Sequence, residues 1–293
     1  MELTPQLVSL QLVTGVALGA VYALLAIGLS LIFGMLGVVN FAHGALFMVG
    51  AFLGMYFLGL TGNFWFSLVL TPLAVGAIGL VIERLLVRPL YGRGIDYPLL
   101  LTFGLSWVLI EAMRVAFGIE GIPSSTPPAL RGSVDLGVGY FPLYRLFLIG
   151  ATAAIVTLLW LFIEKTRYGL IIRAGSRDPE IVRVLGIDIS RVWLAVFGIG
   201  CAIAGLSGVL AAPTRAVNPE MGIPVLAESF VVTVVGGMGS LPGAVVAGLL
   251  VGIVFALTSL VAPDLAELSI FVLMALVLLI RPYGLFGKAG YMG

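Results

Sequence analysis

The chain has 293 residues, of which 61% are hydrophobic and only 10% charged, with a mean hydropathy of +1.19. Soluble domains carry about 25% charged residues, so a water-soluble fold is excluded. The net charge of +1 offers no basic stripe for nucleic acid, and the single cysteine, Cys201, excludes an internal disulfide or a multi-cysteine metal site.

The start, Met1-Glu2-Leu3-Thr4-Pro5, lacks the basic region of a signal peptide, so the first apolar run is expected to be a retained helix. A bilayer core needs roughly 20 apolar residues in helical form. Spans are therefore predicted at about 8 to 33, 41 to 60, 64 to 82, 98 to 118, 143 to 163, 192 to 212, 242 to 262 and 266 to 281. A shorter stretch, Glu228 through Gly239, suits either a thin ninth span or a half-helix. The fold class is all-α: a polytopic membrane protein of eight or nine transmembrane helices with discontinuous helices, forming one transmembrane domain over residues 1–293, with nine crossings preferred.

Between the first two spans, Asn40 and His43 mark a break. Their side chains can bond the backbone groups that a break in lipid would leave unpaired, which is the structural reading; the functional one is that a broken helix lines a pathway. His43 is the lone histidine, which leaves a proton relay without a second member.

Basic residues cluster as Arg84, Arg88 and Arg93, then Lys165, Arg167, Arg173, Arg177, Arg183 and Arg191, then Arg281 and Lys288. Arg114, Arg131, Arg145 and Arg215 fall in the intervening segments. The positive-inside rule puts the three groups and the C-terminus in the cytoplasm, and nine crossings put the N-terminus outside. Trp160 and Trp193 fit the inner aromatic belt and Trp65 the outer one. The Pro-rich segment 119–142 reads as an ordered external loop, since its prolines disfavour helix interiors and central strands. Glycines at four-residue spacing, Gly15 with Gly19, Gly50 with Gly54 and Gly248 with Gly252, predict close helix contacts.

The loop 164–191 holds a short helix. Asp178 is a natural N-cap, Pro179 fits the first helical position, Glu180 complements the dipole, and Gly186 suits the C-terminal cap. Its expected length is roughly two turns, too short to stand alone in water. Ile181, Val182, Val184 and Leu185 are its apolar contacts, framed by Arg177 and Arg183. Two readings stand: a handle gripped by the groove of a soluble partner, or an interfacial helix resting on lipid headgroups.

Three stretches, in order, carry a resemblance. Asn40-Phe41-Ala42-His43-Gly44 is similar to a signature of the branched-chain amino acid ABC permease family. The loop with Arg173-Ala174, Asp178 and Leu185-Gly186-Ile187 looks like that family's coupling loop, and Val235 to Gly243 resembles its late Gly-rich segment. The Asn-Phe-Ala-His form resembles the smaller permease subunit. The resemblance implies a heteromeric importer in the prokaryotic inner membrane: this subunit, a second permease subunit, two cytoplasmic ATPase subunits and an external solute-binding protein. It assigns ATPase coupling to Arg173, Arg177, Asp178, Pro179, Glu180, Ile181, Val182, Arg183, Leu185 and Gly186. Importers of urea and short-chain amides share the family, and an autonomous channel or secondary carrier is the reading from another class.

Charges within spans are costly and draw functional readings first. Glu111 and Arg114 lie three apart on one face with Trp107, and either meet a zwitterion or form an ion pair snorkelling to water. Glu228 carries the same ambiguity. Thr102, Ser106 and Thr233 can bond a passing solute, or their own helix carbonyls. The candidate pathway set is Asn40, His43, Thr102, Trp107, Glu111 and Thr233. Catalytic and metal residues are not expected. Gly236-Gly237-Met238-Gly239-Ser240 has no following Gly-Lys-Ser/Thr, so ATP is expected on partner subunits and this chain is expected to carry no cofactor.

Overall fold

The computed structural model describes residues 4–287. Lys288 of the third basic group, and Met1, Glu2 and Leu3 of the N-terminal reading, lie outside the described residues. Among the described residues eleven α-helices follow one another: α1 (Pro5–Leu36), α2 (His43–Thr61), α3 (Phe64–Ile82), α4 (Asp96–Phe117), α5 (Leu143–Lys165), α6 (Arg167–Arg177), α7 (Pro179–Val184), α8 (Ile189–Ala211), α9 (Gly222–Gly236), α10 (Leu241–Val261) and α11 (Ala266–Ile280). Many begin on a side-chain cap. Thr4, Asn63, Thr166, Asp178, Asp188 and Ser240 each accept from a backbone N–H in the first turn of the helix they open, satisfying donors that a helix start otherwise leaves unpaired.

Among the described residues, eight helical stretches are long and apolar enough to cross a membrane, and α9, with 15 residues, is not. At 1.5 Å per residue α9 spans about 22 Å, short of a hydrocarbon core of about 30 Å. The chain nevertheless changes face along it. Ahead of α9, Glu220 pairs with Arg114 at the end of α4, and Ile122 bridges Val217. After it, Gly239 lies against Gly34 at the end of α1, and Leu285 and Phe286 donate to the carbonyls of Val235 and Gly236. With α9 the chain therefore passes nine times between the two faces, so Pro5 and Arg281 end on opposite sides.

α1, α2 and α8 form the buried centre, α3 and α10 flank it, and α4, α5 and α11 present mostly exposed surfaces. Lipid tails are as apolar as leucine, so helices associate in a bilayer by close packing, which small residues permit. α1 and α10 run antiparallel, with Gly15 against Gly252 and Ile253, and Gly19 against Gly248. On α8, Gly200 meets Gly28, Gly205 meets Gly50, and Gly208 meets the Phe47 carbonyl. The glycine pairs read from spacing are thus the contacts of the core.

The Pro-rich loop contains a hairpin that the prolines argued against: β1 (Ser133–Asp135) pairs antiparallel with β2 (Tyr140–Pro142). Pro142 sits at the strand end, where its missing N–H costs no ladder bond. The Asp135 carboxylate accepts from Gly137 N–H at 2.9 Å and shapes the turn.

Candidate functional site

Two constructions concentrate the polar chemistry. The first is the segment from Thr166 to Arg191. Its Thr166-capped first helix, α6, is absent from the sequence reading, which placed a single short helix here. α7 itself spans six residues, shorter than expected, with Asp178 Oδ1 accepting from Glu180 and Ile181 N–H at 3.0 Å each. Gly186 closes it at φ 79°, a left-handed conformation that disfavours a side chain. Arg173 donates to the Ile163 carbonyl and pairs with Glu164 at 2.8 Å, fastening α6 to the end of α5. Arg183 pairs with Glu180 at 2.7 Å, whereas Arg177 frames the α6 end without an ion pair among the described residues.

The apolar residues of α7 do not act alike. Val182 is buried in a cluster with Leu31 and Met35 of α1, Ile163 of α5, Ile172 of α6, and Ile189 and Val196 of α8. Ile181, Val184 and Leu185 stand exposed. The sequence reading takes the four together as the apolar contacts of this helix; Val182 and Ile181 part because successive helical residues turn by about 100°, and Leu185 lies just past the end of α7. A cavity of about 90 Å³, lined by Ser30, Gly34, Met35, Arg173, Ser176 and Gly239 among others, separates α6 from the α9–α10 turn. On the same face, Glu83 is fully buried, held by two guanidinium bonds from Arg88 at 3.1 and 2.8 Å and by the Tyr91 hydroxyl at 3.2 Å. Burial, reinforced by that carboxylate, pushes the Tyr91 phenol well above its ordinary range. Arg88 also reaches the Ser190 carbonyl at 3.2 Å, joining the end of α3 to the start of α8.

The second construction is the break between α1 and α2. Gly37 ends α1 at φ 64°. The chain then re-enters the bundle without a capping side chain on Ala42. Its donors are met from elsewhere: Phe41 N–H by Thr102 Oγ1 at 3.1 Å, and Ala42 N–H by Asn40 Oδ1 at 3.1 Å. His43 Nε2 lies 3.1 Å from the Leu25 carbonyl. Asn40, His43 and Thr102 are all fully buried, and Asn40 Nδ2 and His43 Nδ1 have no hydrogen-bond partner among the described residues. Thr102→Val keeps the shape and removes the acceptor, leaving the part-buried Phe41 N–H unpaired at a cost of about 1 kcal/mol. Thermal unfolding of the detergent-solubilised protein should register a lower midpoint for Thr102→Val; an unchanged midpoint removes the pinning role.

The remaining pathway candidates lie apart. Thr233 donates to the Ser229 carbonyl of its own helix at 2.8 Å. Trp107 and Glu111 are exposed on α4, and Arg114 bridges Glu111 and Glu220 at the surface. A third group escaped the sequence reading as a unit: Arg215, Glu228 and Tyr22 meet inside the bundle, on the half of the Pro-rich loop. Arg215 and Glu228 were visible singly, as a charge between spans and a charge within one. Their meeting needs tertiary structure.

Residues 11–280 match the family described as "Branched-chain amino acid transport system / permease component". The chain is 34% identical to the high-affinity branched-chain amino acid transport system permease protein BraD of Pseudomonas aeruginosa and 31% identical to LivH of Escherichia coli, over 95% of both chains in each case. To LivM of Escherichia coli it is 28% identical, covering 96% of this chain and 71% of that one. Among solved structures, PsaBC from Streptococcus pneumoniae in complex with Fab aligns over 91% of this chain and 89% of its own at 15% identity and a TM-score of 0.48, a likeness too loose to locate any residue. The end-to-end match to BraD and LivH, against partial coverage of LivM, goes with the smaller type of subunit: this chain belongs to the branched-chain amino acid transport permease family.

Proposed function

We propose that this chain is the smaller of two permease subunits in an ABC importer, forming a single translocation domain that moves branched-chain or related small amino acids across the prokaryotic inner membrane by ATP-driven alternating access. The face bearing α6 and α7 is cytoplasmic, and the Pro-rich loop external. The distribution of arginine supports this orientation: Arg84, Arg88, Arg93, Arg167, Arg173, Arg177, Arg183, Arg191 and Arg281 lie on one side, against Arg114, Arg131, Arg145 and Arg215 on the other. ATP is bound and hydrolysed by two separate cytoplasmic ATPase subunits, and an external binding protein delivers the solute. LivH and LivM of Escherichia coli carry the same transport-system name as two distinct permease proteins, which supports a second permease beside this one.

The observation that carries the reading is the divided surface of α7. Val182 is locked to α1, α5, α6 and α8, while Ile181, Val184 and Leu185 are free to enter a partner's groove. A displacement imposed on the free side is handed directly to the helices on the locked side, because packed interiors transmit strain rather than absorb it. Reconstitution tests the whole. Proteoliposomes holding both permeases and the ATPases, supplied with binding protein, should accumulate leucine only with ATP. Downhill flux through this chain alone makes it a channel or carrier, and ATP-driven uptake of urea or short amides in preference to leucine reassigns the solute.

A further inference from the structure

We propose that Arg215, Glu228 and Tyr22 form the site that receives the head group of the amino acid inside the bundle, its carboxylate on Arg215 and its ammonium on Glu228; this deepens the importer reading and rests on it.

The cluster is assembled from three separate pieces of chain. Tyr22 lies on α1, Glu228 on α9, and Arg215 in the connection from α8 to α9. Arg215 NH2 is the one nitrogen engaged, 3.3 Å from the Tyr22 hydroxyl and 3.4 Å from Glu228 Oε2. Every other ion pair among the described residues closes at 3.0 Å or less. The contrast with Arg88 matters: there two nitrogens clasp Glu83 in a forked arrangement, as a structural pair should. The rest of the Arg215 fork has no protein acceptor among the described residues, yet the side chain keeps a quarter of its surface exposed and Glu228 a tenth.

A charge pair placed among membrane helices and left loosely closed is a poor device for stability, since the cost of desolvating both charges is offset only by close geometry. It is a good device for a zwitterion. A carboxylate arriving on the open side of the guanidinium gains two parallel N–H···O bonds, and the ammonium takes the carboxylate of Glu228 in place of the long contact to Arg215. Tyr22 keeps Arg215 in place by accepting from its NH2 at 3.3 Å, with the ring centroid 5.7 Å from the guanidinium carbon. In the other charged cluster toward this face, Arg114 has both terminal nitrogens taken by carboxylates, NH1 by Glu111 and NH2 by Glu220, and only its buried Nε is without a partner among the described residues.

The test is equilibrium binding of tritiated leucine to the purified transporter, permease pair with ATPases and without the solute-binding protein, by scintillation proximity. Wild type should bind leucine saturably, and Arg215→Gln and Glu228→Gln should each weaken binding by roughly tenfold or more, as loss of a charge-assisted bond predicts. Arg215→Lys keeps the charge without the fork. It should fold as wild type does and bind with an intermediate constant, which separates loss of the site from loss of the fold. The exchange Arg215→Glu with Glu228→Arg restores an internal pair, and should leave leucine binding impaired. Wild-type affinity in Arg215→Gln, full recovery in the exchanged double variant, or the absence of saturable binding to wild type would each overturn the site. ATP dependence of uptake, measured on the same wild-type preparation, reports separately: uptake without ATP defeats the importer reading while leaving a leucine site at Arg215 measurable.

Discussion

Leu185→Asp is expected to strip the ATPase subunits from the purified transporter while leaving the permease folded. Leu185 is 71% exposed and Val184 86% exposed, so a carboxylate there changes the stability of the permease itself by no more than about 0.5 kcal/mol. In a partner's apolar groove the same carboxylate is desolvated without a counter-charge. A loss of about 2 kcal/mol or more, the size of an interface hot spot, weakens association some thirtyfold. Val182→Asp, three positions away, should behave oppositely. Val182 is 2% exposed among Leu31, Met35, Ile163 and Ile189, and an unpaired charge there costs several kcal/mol, so the permease should fail to accumulate in folded form. Copurification of ATPase, beside monodispersity and thermal unfolding of the permease, reads both variants. ATPase retained at wild-type stoichiometry on Leu185→Asp would dispose of α7 as the handle.

How much of this was legible beforehand depends on the distance over which each feature is decided. The spans were readable because about 20 apolar residues in a row have few other fates. The cap of α7 was readable because Asp178 and Pro179 satisfy a local rule within three residues. α6 was missed for a local reason as well: Gly169 and Gly175 lower helix propensity, yet both are needed by neighbours. A side chain at Gly169 would strike the Ile163 carbonyl at the tight α5–α6 turn, and one at Gly175 would meet Met35 and Ile189. The break at Asn40 was visible from its composition, but the residue that pins it, Thr102, lies 61 positions from Phe41. Nothing in the sequence near either residue announces that bond. The same holds for Arg215, which bonds Tyr22 across 193 positions. Polar partners inside a bundle are chosen by the packing of helices, and a single sequence records the helices more plainly than their neighbours.

That packing yields the other large effect: Gly248→Leu is expected to abolish the folded protein, whereas Gly59→Ala should preserve it or stabilise it. A Cβ on Gly248 would lie 2.6 Å from Ala23 Cβ and 2.7 Å from Ala23 Cα, and one on the facing Gly19 would lie 2.6 Å from the Gly248 carbonyl oxygen. These neighbours are backbone or the first carbon of a side chain, so they cannot swing aside; α1 and α10 must move apart along their whole contact. Overpacking at a yielding position costs about 1–3 kcal/mol, and a leucine at this unyielding one exceeds that range, consuming much of the 5–15 kcal/mol by which typical domains are stable. Separation also forfeits the close contact at Gly15 and Gly252, because in lipid no hydrophobic force holds the two helices together once their packing is lost. Gly59 is the control. It lies in α2 with nothing within 4 Å of a Cβ, so alanine adds no clash and improves helix propensity by up to about 1 kcal/mol. Fluorescence-detected size exclusion with a thermal challenge compares the two. A monodisperse Gly248→Leu melting with wild type would mean that the α1–α10 glycine seam does not set the stability of the bundle.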